Sequence, residues 1–174
     1  MPAPRLALRA LACALLFGLA APAAAAPPAA PGAPTAGAPG KPASGDKCPV
    51  CGMFVAKYPD WVAGVVFKDG KVAWFDGVKD LFKFLLKPER YSPGRAPADV
   101  DRVLVTDYYG LKLLDAREAW FVIGSDVFGP MGTELIPFAL EADAREFMAD
   151  HKGTGLLRYG EVGPATLKQL QEPE

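Results

Sequence analysis

Cys48, Cys51 and Met53 place two thiols and a thioether within the run Cys48-Pro49-Val50-Cys51-Gly52-Met53. Sulfur donors of this kind are polarizable and favour soft cations, Cu(I) above all, whereas Mg(II), Ca(II) and Mn(II) prefer oxygen. Cu(I) accepts two or three such donors without a closed cage. A structural zinc site usually takes four Cys or His ligands, and beyond the N-terminal leader the chain offers only these two cysteines and His151. Two other chemistries compete. Cys-Pro-Val-Cys has the Cys-X-X-Cys spacing of thiol–disulfide exchange proteins, and the same pair could simply staple the domain edge as a disulfide. In exchange proteins the motif follows a strand and opens a helix. Here it follows a Pro/Gly-rich stretch and precedes Met53, Phe54 and a hairpin pattern, a poor context for that reading.

The elements that must position these sulfurs are legible from hydrophobic period and turn residues. Trp61 to Phe67 reads as a strand, Asp69-Gly70 as a two-residue hairpin turn and Lys71 to Phe75 as the returning strand. Asp76 can cap a helix from Gly77 to Leu86, with Val78, Leu81, Phe82 and Leu85 on one face and Pro88 as its stop. Val103 to Tyr108 is a further strand. The order then repeats: a strand at Ala119 to Ile123, a turn at Gly124 to Gly129, a strand at Leu135 to Ala139, a helix at Ala142 to His151 and a last strand at Leu156 to Tyr159. This predicts an α+β fold of two ββαβ units packed together into one small domain, residues 48–170. Each half is too small to bury a core alone.

The ends of the chain differ from this domain. Arg5 and Arg9, the apolar stretch Ala10 to Leu19 and the small residues Ala21 to Ala26 read as a secretory signal peptide over residues 1–26, cleaved between Ala23 and Ala26. Lipidation at Cys13 is the competing reading and would tether the protein to the membrane. Residues 27–47, rich in Ala, Pro and Gly, read as a disordered tether. The protein is therefore expected in the periplasm, an oxidising compartment where a cysteine pair forms a disulfide, holds a metal or is kept reduced by a partner. Formal net charge is −1, and loss of Arg5 and Arg9 takes it to −3. No basic stripe points to nucleic acid.

Other candidate residues have plainer roles. Met131, between Pro130 and Gly132 in a turn, reads on residue type alone as a gap-filler. His151 at the end of the second helix suits the helix dipole, with metal ligation as its alternative. Met148 belongs to the apolar helix face. Trp61, Trp74 and Trp120 are expected between sheet and helix, and Trp74 with Phe75 could instead shield a metal. Asp107 and Asp115 have no base or nucleophile partner, so no acid–base pair and no enzymatic turnover is expected.

The ordered motifs Cys48-Pro49-Val50-Cys51-Gly52-Met53, Lys68-Asp69-Gly70, Phe75-Asp76, Val105-Thr106-Asp107-Tyr108, Asp115-Ala116 with Ala119, Pro130-Met131-Gly132, and Phe138 ahead of Ala144 resemble the NosL family, exported copper-binding accessory proteins of nitrous oxide reductase. The resemblance covers Cys48 to about Val162. It implies a double ββαβ fold, Cu(I) binding, and copper delivery to nitrous oxide reductase together with a membrane transporter complex. It places copper at Cys51 and Met53, with Met131 as third ligand and Cys48 as a further one. Family members typically carry a clear lipidation signal; this chain offers only Cys13, so membrane anchoring stays open.

Overall fold

The computed structural model describes residues 40–171. The expected signal segment, Cys13 and residues 27–39 of the expected tether lie outside the described residues. Past a turn at residues 44–45, Lys47 bridges Phe54 in antiparallel fashion, and single 3-10 turns follow at Val55–Lys57 and Pro59–Trp61. Strands β1 (Ala63–Phe67) and β2 (Val72–Phe75) form an antiparallel hairpin in the register Ala63↔Phe75, turned at Asp69-Gly70. Helices α1 (Val78–Leu86) and α2 (Pro88–Tyr91) lead to β3 (Val100–Thr106) and β4 (Leu113–Asp115). The sheet order is β2-β1-β3-β4, and the central strand β1 is buried along its whole length.

The second half comprises β5 (Trp120–Ile123), a small hairpin of β6 (Phe128–Gly129) and β7 (Gly132–Thr133), then β8 (Ile136–Phe138), α3 (Glu141–Asp150), β9 (Gly155–Arg158) and α4 (Pro164–Gln169). Its main sheet runs β8-β5-β9. The connection expected as a simple turn at Gly124 to Gly129 is thus a longer excursion whose own two-stranded hairpin carries Met131 at its tip. The first sheet also gains β4 at its edge, which pairs with the end of β3. The helices and antiparallel sheets make the fold α+β.

Helix α1 is the wedge between the halves. The 3.6-residue spacing of Val78, Leu81, Phe82 and Leu85 predicts one apolar face, yet Phe84 is also fully buried. The reason is that α1 is covered on more than one side. Phe84 packs edge-on against Phe67 and Phe75 of the first sheet, while Phe82 meets Phe121 of β5 edge-on, with ring centroids 5.5 Å apart, and also Tyr159. One core therefore joins Val65, Phe75 and Leu81 to Phe121, Ile123, Leu135 and Leu167. A second, smaller cluster of Val122, Ile136, Phe138, Ala144 and Phe147 lies under α3, with Met148 at its margin. The main chain adds a seam: Tyr108 N–H donates to Pro137 O, and the Asp107 carboxylate accepts from the amides of Ala139 and Gly110. Asp107 is thereby a structural pin.

The tryptophans divide by site. Trp61 packs against Tyr108, Trp74 lies over Gly64 of β1, and Trp120 sits beneath the Arg158 guanidinium. Among the described residues no helix is long and apolar enough to cross a membrane. Because one core serves both halves, Phe82→Ala should cost about 3–5 kcal/mol in urea unfolding while leaving a single cooperative transition. Two separated transitions in the variant would contradict the shared core.

Candidate metal centre

The cysteine loop is closed by its own backbone. Cys48 N–H donates to Met53 O at 2.8 Å and Gly52 N–H to Cys48 O at 2.9 Å. The turn needs Gly52 at φ +80, where a side chain would cost roughly 1–2 kcal/mol. Folded this way, the amides of Cys51 and Val50 point at the Cys48 sulfur, and the Met53 amide points at the Cys51 sulfur. Such donors favour the thiolate form that a metal requires. Cys48 is buried at 1% exposure, and Cys51 and Met53 are half-buried.

The loop docks on the start of α1. Cys51 Sγ donates to Asp76 Oδ1 at 3.1 Å, and Cys48 Sγ to Asp80 Oδ2 at 3.6 Å. Asp80 lies in the first turn of α1, whereas Asp76 lies just before its N-cap, Gly77, whose backbone is extended. One donor atom from each of Cys48, Cys51, Asp76 and Asp80 lies within 4.8 Å of all the others. Asp80 spends its second oxygen on Lys83 Nζ at 2.8 Å. Asp76 Oδ2 is buried with no hydrogen-bond partner among the described residues, a costly arrangement that marks a place for a cation or proton.

Both thiols are held in the protonated form. Burial pushes Cys48 up to about 11, with the Asp76 carboxylate adding to the rise against the opposing backbone amides. Burial pushes Cys51 higher still, again reinforced by Asp76 and by Cys48. A buried and a half-buried thiol beside two acids form a site that gives up its protons only to something that replaces them.

Asp76 was expected to cap α1, and it does not. The cap position falls on Gly77, which provides no side-chain bond, and the carboxylate of Asp76 serves Cys51 instead. The helix amide of Lys79 is taken by Glu134 Oε2 at 2.7 Å, from the far half of the chain. Glu134 is wholly buried, and burial pushes it up to about 8. Glycine at 77 leaves room for this carboxyl, since a Cβ there would meet Glu134 Oε1 and push it aside.

Of the sequence candidates, Cys48, Cys51 and Met53 are brought together on the loop. Met131 sits at the β6–β7 tip with its side chain exposed, and its main chain is tied to α1: Lys79 Nζ donates to Met131 O at 2.7 Å and to Thr133 O at 2.6 Å. His151 is elsewhere, stacked on Phe147 and 3.2 Å from Asp126 Oδ1 through Nδ1. Phe75 is core, packed on Phe84. Asp80 as a thiol partner and Glu134 as a cap were not anticipated; the Asp76/Asp80 spacing at a helix start was the available signal for the first.

Fold and site together define a small α+β protein with a candidate thiol–carboxylate metal site. Comparison with known proteins is more specific. A sequence model of the NosL family matches residues 39–167, and the chain belongs to that family. It is 32% identical over 126 residues to the "Copper-binding lipoprotein NosL" of Stutzerimonas stutzeri, covering 71% of this chain and 65% of that protein's length. It is also similar to the crystal structure of the copper chaperone NosL from Shewanella denitrificans, at TM-score 0.63 and 31% identity, over 74% of this chain and 98% of that one.

The raised thiols fix a sign for reactivity. The reduced, metal-free protein should be alkylated by iodoacetamide at pH 8 far more slowly than free cysteine, because little thiolate is present below a pKa of about 11. Asp76→Asn removes a negative charge that holds the thiols protonated, so it should lower their pKa and speed alkylation. An unchanged or slower rate would contradict the Asp76–Cys51 contact.

Proposed function

We propose that this protein is an exported Cu(I) carrier, without catalytic turnover, that delivers copper for assembly of a copper enzyme, nitrous oxide reductase foremost. The observation that carries the reading is the cluster of Cys48 and Cys51 against Asp76 and Asp80 in a chain of this family. The names of the matched proteins, a copper-binding lipoprotein and a copper chaperone, support copper as cargo.

Cys51 and Met53 are the primary ligands, with Met131 and Cys48 completing the set. Cu(I) is matched by their sulfurs, whereas the carboxylates are harder donors that suit protons and water. That divides the labour. As the Cys51 thiol hands its sulfur to the metal, its proton has an acceptor 3.1 Å away at Asp76 Oδ1. On release the same carboxylate can return a proton to the thiolate. A few ligands at a half-open edge allow an acceptor's thiols or thioethers to displace them one at a time, with no unfolding.

The carrier works in the periplasm, with its leader removed between Ala23 and Ala26, and hands copper on together with a membrane transporter complex. The word lipoprotein in the relative's name supports a station at the membrane, for which lipidation at Cys13 is the available route in this sequence. Thiol–disulfide exchange by Cys48 and Cys51 has less support: an attacking cysteine must be a thiolate, and both thiols are pushed the other way.

Titration of the reduced protein with Cu(I) against a competing chelator tests the reading. One-to-one binding should be lost in Cys51→Ser and weakened about tenfold or more, 1.4 kcal/mol for each factor of ten, in Met53→Ala. Affinity unchanged in both variants would sink the carrier assignment.

A further inference from the structure

The two halves meet at α1 through a buried pair of side chains that the metal chemistry above does not use. Glu134 Oε2 accepts from the amides of Lys79 and Leu135, at 2.7 and 3.2 Å. Lys79 Nζ reaches back and donates to the carbonyls of Met131 and Thr133, on either side of Gly132. Both residues are buried, at 2% and 4% exposure. Burying a lysine and a glutamate is expensive unless each is hydrogen-bonded; Lys79 Nζ and Glu134 Oε2 each reach the other's segment, while Glu134 Oε1 has no hydrogen-bond partner among the described residues. The result is a reciprocal clamp: the second half caps the first helix, and the first helix anchors the tip of the β6–β7 hairpin.

We infer that Lys79 and Glu134 are positioning residues that hold the Met131 turn against the metal-site end of α1, so that the second half of the chain supplies a ligand to the cysteine loop. The inference deepens the carrier reading and rests on it. Its geometric basis is the chain of contacts: Lys79 lies between Asp76 and Asp80, the two carboxylates that receive the thiols, and its side chain ends on the main chain of Met131. A short two-stranded hairpin is only marginally stable by itself. Anchoring two of its carbonyls on one ammonium selects one orientation of the tip. Met131, exposed at 40%, is then free to close on a metal, while its backbone is fixed.

The test uses the reduced, full mature chain and compares Met131→Ala, Lys79→Met, Glu134→Ala and Glu134→Gln. Sulfur coordination is counted by X-ray absorption of the Cu(I)-loaded protein, affinity is measured by chelator competition, and folding is followed by circular dichroism. Met131→Ala should remove one sulfur from the copper shell. Lys79→Met should do the same, weaken binding by roughly 10- to 100-fold as loss of an outer support typically does, and show no further loss when combined with Met131→Ala. Glu134→Gln keeps an oxygen for the Lys79 amide and should behave as the parent, whereas Glu134→Ala should behave like Lys79→Met.

An intact sulfur count and affinity in folded Lys79→Met, beside a loss in Met131→Ala, overturns the clamp and leaves the carrier reading standing. An intact count in Met131→Ala overturns the Met131 assignment, and the clamp's role with it. Should Lys79→Met not fold, the Glu134 pair decides: loss in Ala with rescue in Gln supports the clamp, and identical binding in the two overturns it.

Discussion

The first turn of α1 is the constraint on which the rest of the molecule depends. Its Asp80 and the Asp76 just before it receive the cysteine thiols from the N-terminal loop, its Lys79 amide is capped by Glu134 from the second half, and its lysine ammonium holds the β6–β7 turn. A helix start carries unsatisfied N–H groups and a positive dipole end, so it gathers acids. Here that tendency assembles acids from two parts of the chain at one place. The apolar body of the same helix is enclosed between the two halves by Phe82 and Phe84. Core and site are thus built on the same element.

This arrangement gives the site a definite electrostatic character. Burial, reinforced by the Asp76 carboxylate, holds Cys48 and Cys51 as thiols, while the loop's own amides are already turned toward the sulfurs to receive them as thiolates. The opposition is useful in a carrier. On the proposed reading, protons and metal compete for the same sulfurs, and the Cys51 thiol already donates to Asp76 Oδ1 at 3.1 Å. Asp80 is committed differently, being paired with Lys83, so the two acids are not equivalent.

Much of the fold was legible because it follows short-range rules. The Asp69-Gly70 hairpin, the α1 periodicity ending at Pro88 and the strand at Ala119 to Ile123 all announce themselves locally, and the observed strands and helices start or stop within a few residues of expectation. What was not legible depends on contacts across the fold. Asp76 looks like a helix cap from its position before Gly77, but a cysteine 25 residues earlier competes for its oxygen, and a glutamate 55 residues beyond Lys79 takes over the helix amide. Glu134 reads as an ordinary polar residue between a turn and a strand, and no periodicity says that it is buried. The cysteine loop stands out in the sequence as a cluster of sulfur donors; its carboxylate partners depend on the docking of loop on helix. The hairpin bearing Met131 was hidden for a similar reason, since its strands of two residues each are too short for alternation to register.

The proposed site would hold its metal where the cysteine loop meets the start of α1, with a methionine from each half. The most direct measurement is nuclear magnetic resonance of protein carrying carbon-13 in its methionine methyl groups, titrated with Cu(I) under reducing conditions. The methyl signals of Met53 and Met131 should both shift and saturate at one equivalent, while Met148, packed beside the core under α3, stays unmoved as an internal reference. A shift confined to Met148, or no methionine shift at all at one equivalent, would contradict the account.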